Sequence, residues 1–446
     1  MTLSMNSVLQ DAALHAIEYA RKQGASAADV EVSTSVGQSV TVRLDEVETI
    51  EHNRDKGLSL TVYFGAKRGN ASTTDLTREA VERSVDAAAA IAKYTAEDLF
   101  AGLPDPDRLA RPPFADFDLY HPWKPTVEEA IERCRQMEAA AFAADPRVDN
   151  SEGASLSTYE SDFVYANSLG FVGGYQTSRH SASVTAIASA DGGMQRDYWY
   201  SVARHQDDLD DATRIGTLAG KRAAARLGAR RLTTCEAPVV FDATLSPGLI
   251  GAFVGAVSGS SLYRKASFLL DSVGTEVFAR HISIVEEPTL RRGLASGPFD
   301  NEGVATQTRD IVRDGVLQGY FLSTYSARKL GLSSTGNAGG NHNLLVTDSG
   351  IGRDEIFRRM GRGLYVTETM GQGANNVTGD FSQGAAGFWI ENGEIAYPVE
   401  EITIAGNLRD MFRSIVAIGN DALPYGSKRV GSVWIERMSI AGTNAA

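Results

Sequence analysis

The seven histidines are the first side chains to test for chemistry, because imidazole is a common metal ligand and general base. They are His15, His52, His121, His180, His205, His281 and His342. No two of them lie closer than 25 residues, so the sequence contains no HExxH, HxH or HxxxH pattern. The two cysteines, Cys134 and Cys235, form no CxxC pair. Local spacing therefore predicts no metal site, although distant ligands could still converge in the fold.

Ser326 and Lys329 satisfy the SxxK pattern, in which a desolvated lysine can deprotonate a serine nucleophile. The companion KTG and SDN motifs of such hydrolases are absent from the sequence. A solvated helix end gives the same spacing, because Arg328 and Lys329 complement the helix dipole. The pattern favours the helix end and leaves a self-sufficient serine hydrolase as an alternative.

Two glycine-rich segments could offer backbone N–H groups to a ligand. Residues 336–343 read "GNAGGNHN" and place His342 beside Asn341 in the most polar cluster of this region. Residues 371–376 read "GQGANN", which begins like a GxGxxG loop but has Asn376 in place of the last glycine. Such segments are more often tight turns that need positive φ. The sequence therefore predicts no phosphate-binding loop.

Glycines recur every fourth residue in "LSPGLIGAFVGAVSG", which spans residues 245–259. The spacing predicts a helix that begins near Pro247 and carries Gly251, Gly255 and Gly259 on one face. Each interior glycine costs a helix roughly 0.8–1 kcal/mol relative to alanine, so the face needs a purpose. We interpret it as a close-packing surface for the β core of this chain, with the corresponding helix of a partner as the alternative.

The charge balance limits the classes of partner. Net charge is −13 at pH 7, which argues against nucleic acid as the main ligand. Asp11 and Glu18 interrupt the amino-terminal segment where a signal peptide needs an apolar run. No window approaches the roughly 18 apolar residues of a membrane span. The expectation is a cytoplasmic protein with no membrane or nucleic-acid contact.

Element order predicts an α+β fold. Helix–strands–helix occurs twice, in an amino-terminal unit over 1–100 and a central unit over 126–231. Between them, residues 101–125 hold six of the thirteen prolines and read as a linker. Residues 232–446 read as a mostly β domain with a few helices, with hairpins at Asp314-Gly315 and Asn392-Gly393.

Longer strings resemble the TldD/PmbA family, and specifically its PmbA branch, also called TldE. "TGDFSQGAAGFWIENGEIAYPVEEITIAGNL" is one of them, and the others cover 255–274, 293–317, 324–343 and 419–421. The resemblance implies a TldD–TldE heterodimer that acts as a metallopeptidase on unfolded peptides. It also implies links to maturation of a peptide antibiotic and to antitoxin degradation. An older family label, modulator of DNA gyrase, suggests a regulatory protein-binding factor instead.

The same resemblance implies where a metal would bind. TldD-type subunits carry HExxxH on a helix, completed by a later cysteine. In this chain Gly251, Ala252 and Ala256 stand at the two histidine positions and the glutamate position, and no cysteine follows Cys235. Glycine and alanine side chains cannot ligate zinc or take a proton from its water. We therefore expect no catalytic residue and no cofactor in this chain, with the metal, zinc by expectation, only in a TldD-type partner.

The expected role is a non-catalytic subunit that helps form the peptide cleft. The glycine-rich strands around 371–388 are expected to present an exposed edge to an extended peptide. Candidate contacts with peptide or partner are Arg264, Asn341, His342 and Gly373. The regulatory factor, the Ser326–Lys329 hydrolase and a homodimer of the isolated chain remain open alternatives.

Overall fold

The structure, a computed structural model, describes residues 6–191 and 193–442 and has the expected α+β architecture. The helices are α1 Ser7–Lys22, α2 Arg78–Tyr94, α3 Val127–Ala144, α4 Ala212–Ala225, α5 Ser246–Ala256, α6 Gly259–Tyr263, α7 Thr324–Leu330, α8 Arg353–Met360 and α9 Leu408–Arg413. The strands are β1 Ala27–Arg43, β2 Glu46–Phe64, β3 Lys67–Thr73, β4 Val148–Asn167, β5 Val172–Ala190, β6 Gly193–Ala203, β7 Cys235–Phe241, β8 Ile284–Glu287, β9 Arg309–Arg313, β10 Val316–Leu317, β11 Asn343–Val346, β12 Gly363–Met370, β13 Asp380–Glu391, β14 Glu394–Asn407, β15 Ile415–Ile418, β16 Lys428–Arg429 and β17 Val433–Ala441. None of the described helices is long and apolar enough to cross a bilayer.

The two predicted helix–strands–helix units are confirmed, and they share one sheet. Its strand order is β3-β2-β1-β4-β5-β6. β1 and β4 run antiparallel at the centre, with Val36 opposite Glu160, so the units join strand to strand. Helices α1 and α2 cover one part of the sheet, and α3 and α4 cover another. Residues 101–125 contain only the short 3-10 turn Pro106–Arg108 between these units.

Helices α3 and α4 pack closely against each other. A Cβ atom at Gly216 would overlap with the carbonyl oxygen of Met137, and one at Gly220 would overlap with that of Ala141. Two glycines four residues apart therefore let the backbones of α3 and α4 touch. This is the close packing that the sequence analysis expected elsewhere, on α5.

The carboxy-terminal region is built on a sheet that closes on itself. Strands β14, β13, β12, β7 and β17 are neighbours in this order, and β17 pairs again with β14. β15 lies along the remaining edge of β17. A second sheet, in the order β10-β9-β8-β11-β16, packs into the same core. α5 follows β7 and buries Leu249, Ile250 and Phe253 in that core.

The predicted helix over 245–259 is shorter than expected. α5 ends at Ala256, and Ser258 is extended with φ −78° and ψ 140°. The reason is a pairing with Phe321, whose N–H donates to the Val257 carbonyl and whose carbonyl accepts the Gly259 N–H. Gly259 therefore begins α6, and the prediction that it shares a helical face with Gly251 is wrong.

A buried arginine ties the amino-terminal sheet to the carboxy-terminal region. Arg204, just after β6, donates to the carbonyl oxygens of Gly293 at 3.4 Å, Leu294 at 2.8 Å and Ser178 at 2.9 Å. Burial lowers the pKa of its guanidinium to about 10, still far above neutral pH. The Arg204 guanidinium thus links one carbonyl oxygen of the amino-terminal sheet to two carbonyl oxygens of the carboxy-terminal region.

Replacing Arg204 with Met is expected to lower the free energy of unfolding by about 1–3 kcal/mol, because buried carbonyls lose their donor. Urea denaturation followed by tryptophan fluorescence measures this change. Arg196→Met is the matched control, since Arg196 is exposed and pairs with Glu152 at the surface. The control should cost less than about 1 kcal/mol. Equal effects in the two variants would contradict this role for Arg204.

Candidate functional site on the glycine face of α5

One face of α5 has almost no side chains. Gly251, Ala252 and Gly255 are half-buried on it, while the opposite face lies in the core. We call these three residues the glycine face. α5 begins after Asp242, whose carbonyl accepts the N–H groups of Leu245 and Ser246. The buried side chains of the opposite face fix which face of α5 points away from the core.

Two polar side chains from distant parts of the chain lie over the glycine face. The Cε atom of Lys428, on β16, is 3.9 Å from where a Cβ of Gly251 would stand. The Nδ2 atom of Asn376, in the loop between β12 and β13, is 2.7 Å from the corresponding point at Gly255. The expected approach of another backbone is therefore wrong at these two positions, because side chains of the same protein lie there.

The electrostatic environment of this face is cationic. Burial lowers the pKa of the Lys428 ammonium from its ordinary value. Among the described residues, no carboxylate forms an ion pair with Lys428. The Oδ1 atom of Asn376 is buried and has no hydrogen-bond partner within the described chain.

The residues present do not fit a catalytic metal. Gly251, Ala252 and Ala256 supply no donor atom, and Ala256 is itself fully buried. One of the two side chains that reach the face, that of Lys428, ends in an ammonium group, which repels a divalent cation. Over residues 6–191 and 193–442, no group of three or more His, Cys, Asp or Glu side chains could hold a metal ion.

Ser326 and Lys329 have separate structural tasks. Ser326 accepts the Ser323 N–H at 3.0 Å in the capping box of α7 and is 4% exposed. The Lys329 ammonium lies 4.3 Å from the centre of the Phe100 ring. The structure therefore does not bring these two side chains together as a nucleophile and its base.

The loop around His342 is a polar structural core. Its backbone N–H donates to Glu286 at 2.8 Å, and its ring nitrogens lie 3.1 Å from the Ala295 carbonyl and 3.0 Å from the Gly336 carbonyl. Glu286 is 1% exposed and also pairs with Arg309. Each polar atom of the His342 ring thus faces the chain's own backbone.

The other candidate contacts are dispersed. Arg264 is exposed after α6 and donates to the Ser260 carbonyl at 2.9 Å. The Asn341 side chain donates to the backbone carbonyl of His342. Gly373 lies in the same loop as Asn376, and a Cβ atom at Gly373 would overlap with the side chain of Gln383 on β13. A role in peptide or partner contact for these residues and for His342 stays a prediction.

A strand edge without a pairing strand lies elsewhere than predicted. β13 is paired with β12 on one side and with β14 on the other, so the expectation of an open edge around 371–388 is wrong there. β7 instead pairs only with Leu364–Val366 of β12, and the following residues 367–370 have no strand on that side among the described residues. A cavity of about 340 Å³ adjoins this edge; its lining includes Asp197, Arg226, Leu245, Thr367 and Glu368.

Sequence comparison supports the resemblance over most of the chain. Family models for PmbA/TldA metallopeptidase domains match residues 28–92 as domain 1, 120–227 as the central domain and 234–442 as the carboxy-terminal domain. The chain belongs to the TldD/PmbA family. It is 46% identical to Metalloprotease PmbA of Escherichia coli O157:H7, over 98% of this chain and 97% of that protein. The Metalloprotease PmbA homolog of Haemophilus influenzae is also 46% identical, over 97% and 96%.

Solved structures agree with this assignment. A Bacteroides thetaiotaomicron protein named as a candidate modulator of DNA gyrase superposes with a TM-score of 0.92 and 30% identity, over 97% of this chain and 99% of that one. TldE from Thermococcus kodakarensis superposes with a TM-score of 0.85 over 97% and 100%. At 20% sequence identity, this superposition shows that the two chains share a fold. The 46% identity to Metalloprotease PmbA confirms the predicted PmbA branch. The architecture and its structural neighbours confirm the predicted fold class.

The packing at Gly251 and at Gly259 can be tested with one alanine substitution at each position. Gly259→Ala is expected to destabilise the protein by about 1–3 kcal/mol, because its Cβ would overlap with the side chain of Ser326. Gly251→Ala is expected to stabilise it by roughly 0.5–1 kcal/mol, because only the Lys428 side chain lies within contact distance. Chemical denaturation of both variants gives the signs. Destabilisation by Gly251→Ala would contradict the open surroundings of Gly251, where the nearest atom to an added Cβ is the Lys428 Cε atom at 3.9 Å.

Proposed function

We propose that this chain is the metal-free subunit of a heterodimeric metallopeptidase that acts on unfolded peptides in the cytoplasm. The observation that carries the proposal is the glycine face of α5. At the positions where the family resemblance implies metal ligands and a general base, the chain has Gly251, Ala252 and Ala256, with the Lys428 ammonium nearby. Hydrolysis by metal-bound water then has to come from a second, TldD-type chain.

Family membership supports a partner of that kind. This chain is 23% identical to the Metalloprotease TldD homolog of Haemophilus influenzae, over 82% of this chain and 80% of that protein. The same organism has the PmbA homolog described above, so both branches occur together there. A pair of related chains can divide the work, one holding the metal and the other shaping the cleft.

The contribution of this chain to peptide binding is proposed for the open edge of β12. Extended peptides add to such edges through backbone hydrogen bonds. The Thr367 hydroxyl oxygen is buried without a hydrogen-bond partner in the described chain, at the bulge where the edge begins. Leu245, immediately before α5, lines the adjoining cavity. The edge therefore leads toward the helix on which a catalytic subunit would carry its metal.

A regulatory protein-binding role is the second candidate. The observation in its favour is the naming of the Bacteroides thetaiotaomicron neighbour as a candidate modulator of DNA gyrase. A net charge of −13 disfavours direct contact with DNA, so this role would require contact with a protein. Recovery of topoisomerase subunits on the immobilised chain, without any peptidase partner, would support this candidate.

Mixing experiments test the first candidate. The isolated chain is expected to leave an unfolded peptide intact, and its mixture with the TldD-type chain of the same organism is expected to cleave it. Chelation of the mixture should abolish cleavage, and restored zinc should recover it. Mass spectrometry of the peptide products measures each reaction.

A matched variant separates this account from the serine hydrolase. Lys329→Met removes the base of the SxxK pattern and should leave cleavage by the mixture unchanged. Chelator-resistant cleavage by the isolated chain, lost in Lys329→Met, would contradict the proposed function and support the hydrolase.

A further inference from the structure

A long part of one edge of the amino-terminal sheet is unpaired. β2 pairs with β1 along almost its whole length, but β3 pairs only with residues 58–64 of β2. Residues 46–57 therefore have no strand on their other side within the described parts of the chain. We call this segment the free edge. Backbone N–H and C=O groups along such an edge are available to pair with another strand.

The free edge adds almost nothing to the core of its own chain. All the residues from 46 to 56 are exposed. Ile50 is 46% exposed, although Val40, its partner on β1, is fully buried beneath α3. Ordering so many exposed residues as a strand costs conformational entropy, and burial within the chain does not offset this cost. Burial against a second molecule would offset it.

The turn that leads into the free edge is fixed to α3. The N–H groups of Leu44 and Asp45 each donate to the buried carboxylate of Glu138 at 2.9 Å. Arg135, also on α3, lies 2.8 Å from the Asp45 carboxylate. The hairpin is therefore held in place without a partner, which lowers the entropic cost of pairing with one.

The charges along the free edge change from acidic to basic. Glu46 and Glu48 lie at its start, and Arg54 and Lys56 lie near its end. None of these four side chains forms an ion pair with another described residue. Asp55 projects from the face opposite to Arg54 and Lys56, because side chains alternate along a strand. A second copy in antiparallel orientation brings its basic end to the acidic start of the first.

The space beside β2 limits how two copies can pair. The turn of a second copy has to stop before Leu58, where β3 begins to occupy the edge. Antiparallel pairing about a two-fold axis at Ile50 satisfies this condition, because it places that turn beside residues 55 and 56. Ile50 then lies next to its equivalent in the other copy. Glu48 of each copy lies diagonally across from Arg54 of the other.

We propose that two copies of this chain pair through their free edges, antiparallel about a two-fold axis near Ile50, and join their two amino-terminal sheets into one continuous sheet. A two-fold interface requires a surface that is complementary to itself after rotation, and the order of charges meets this requirement. Parallel pairing would place like charges side by side. The inference is independent of the proposed function, since it concerns the chain without a peptidase partner.

Sedimentation velocity of the isolated full chain over a concentration series tests the inference. The chain is expected to sediment with twice the mass of one copy and to dissociate on dilution. Glu48→Arg and Arg54→Glu, each alone, should weaken the dimer about ten-fold, because like charges then meet twice across the axis. Lys93→Glu, at an exposed lysine of α2, is the matched control and should leave the dimer unchanged.

Mixing the two single variants gives the sharpest comparison. A Glu48→Arg chain opposite an Arg54→Glu chain again has opposite charges at both ends of the interface. The mixture is therefore expected to dimerise as tightly as the unaltered protein. Hydrogen exchange of residues 46–57 in the unaltered protein should also slow as its concentration rises. Circular dichroism checks that each variant is folded.

Three results would overturn the inference. They are a monomer at every concentration, a dimer that both single variants leave unchanged, and a mixture of variants that associates no more tightly than either variant alone. A chain that stays monomeric by itself but forms an active complex with the TldD-type chain would overturn this inference and leave the proposed function standing. A dimer with the expected behaviour that gains no activity from the TldD-type chain would do the reverse.

Discussion

The packing of Phe253 in the carboxy-terminal core is the contact on which the candidate site depends. Phe253 is fully buried, with its ring centre 5.0 Å from that of Phe278 and 6.2 Å from that of Phe412. Because this ring anchors one side of α5, the other side must face away from the core. Gly251 and Gly255 are thereby placed under Lys428 and Asn376. A rotation of α5 would bury the glycine face and expose the aromatic anchor.

The same scaffold can hold different chemistry. The family fold extends over nearly the whole chain, with a TM-score of 0.92 to a relative at 30% identity. Within that fold, the middle of α5 has exchanged donor side chains, as the family resemblance implies them, for hydrogen atoms and methyl groups. A helix that would support a metal instead supports an uncompensated ammonium. The fold alone therefore does not define the activity, which depends on the side chains that the fold carries.

Local signals in the sequence predicted local structure well. Asp314-Gly315 and Asn392-Gly393 form the expected turns, with positive φ at all four residues, because this backbone conformation matches the twist of a tight hairpin. Thr126 and Glu129, three residues apart in the sequence, form the capping box of α3. These features depend on neighbours along the chain, which a sequence displays directly.

Features that depend on distant contacts were missed. The break after Ala256 results from pairing with Phe321, which lies 64 residues after Val257. Gly216 and Gly220 lie against carbonyl oxygens of α3. The sequence of α4 does not indicate which residues of the chain these two glycines contact. Lys428 lies in a segment with no motif, and Asn376 was noted only as a departure from a GxGxxG loop. Their convergence on α5 was therefore visible only in the fold. The resemblance located the altered metal positions, and the structure showed what stands beside them.

The central claim is that this chain cannot hold the catalytic metal itself. Metal analysis by inductively coupled plasma mass spectrometry, on the isolated chain and on its purified complex with a TldD-type chain after equal exposure to zinc, tests it most directly. The account predicts a negligible metal content in the isolated chain and about one metal ion for each heterodimer. A stoichiometric metal ion in the isolated chain, lost when its own histidine or cysteine side chains are replaced, would contradict it.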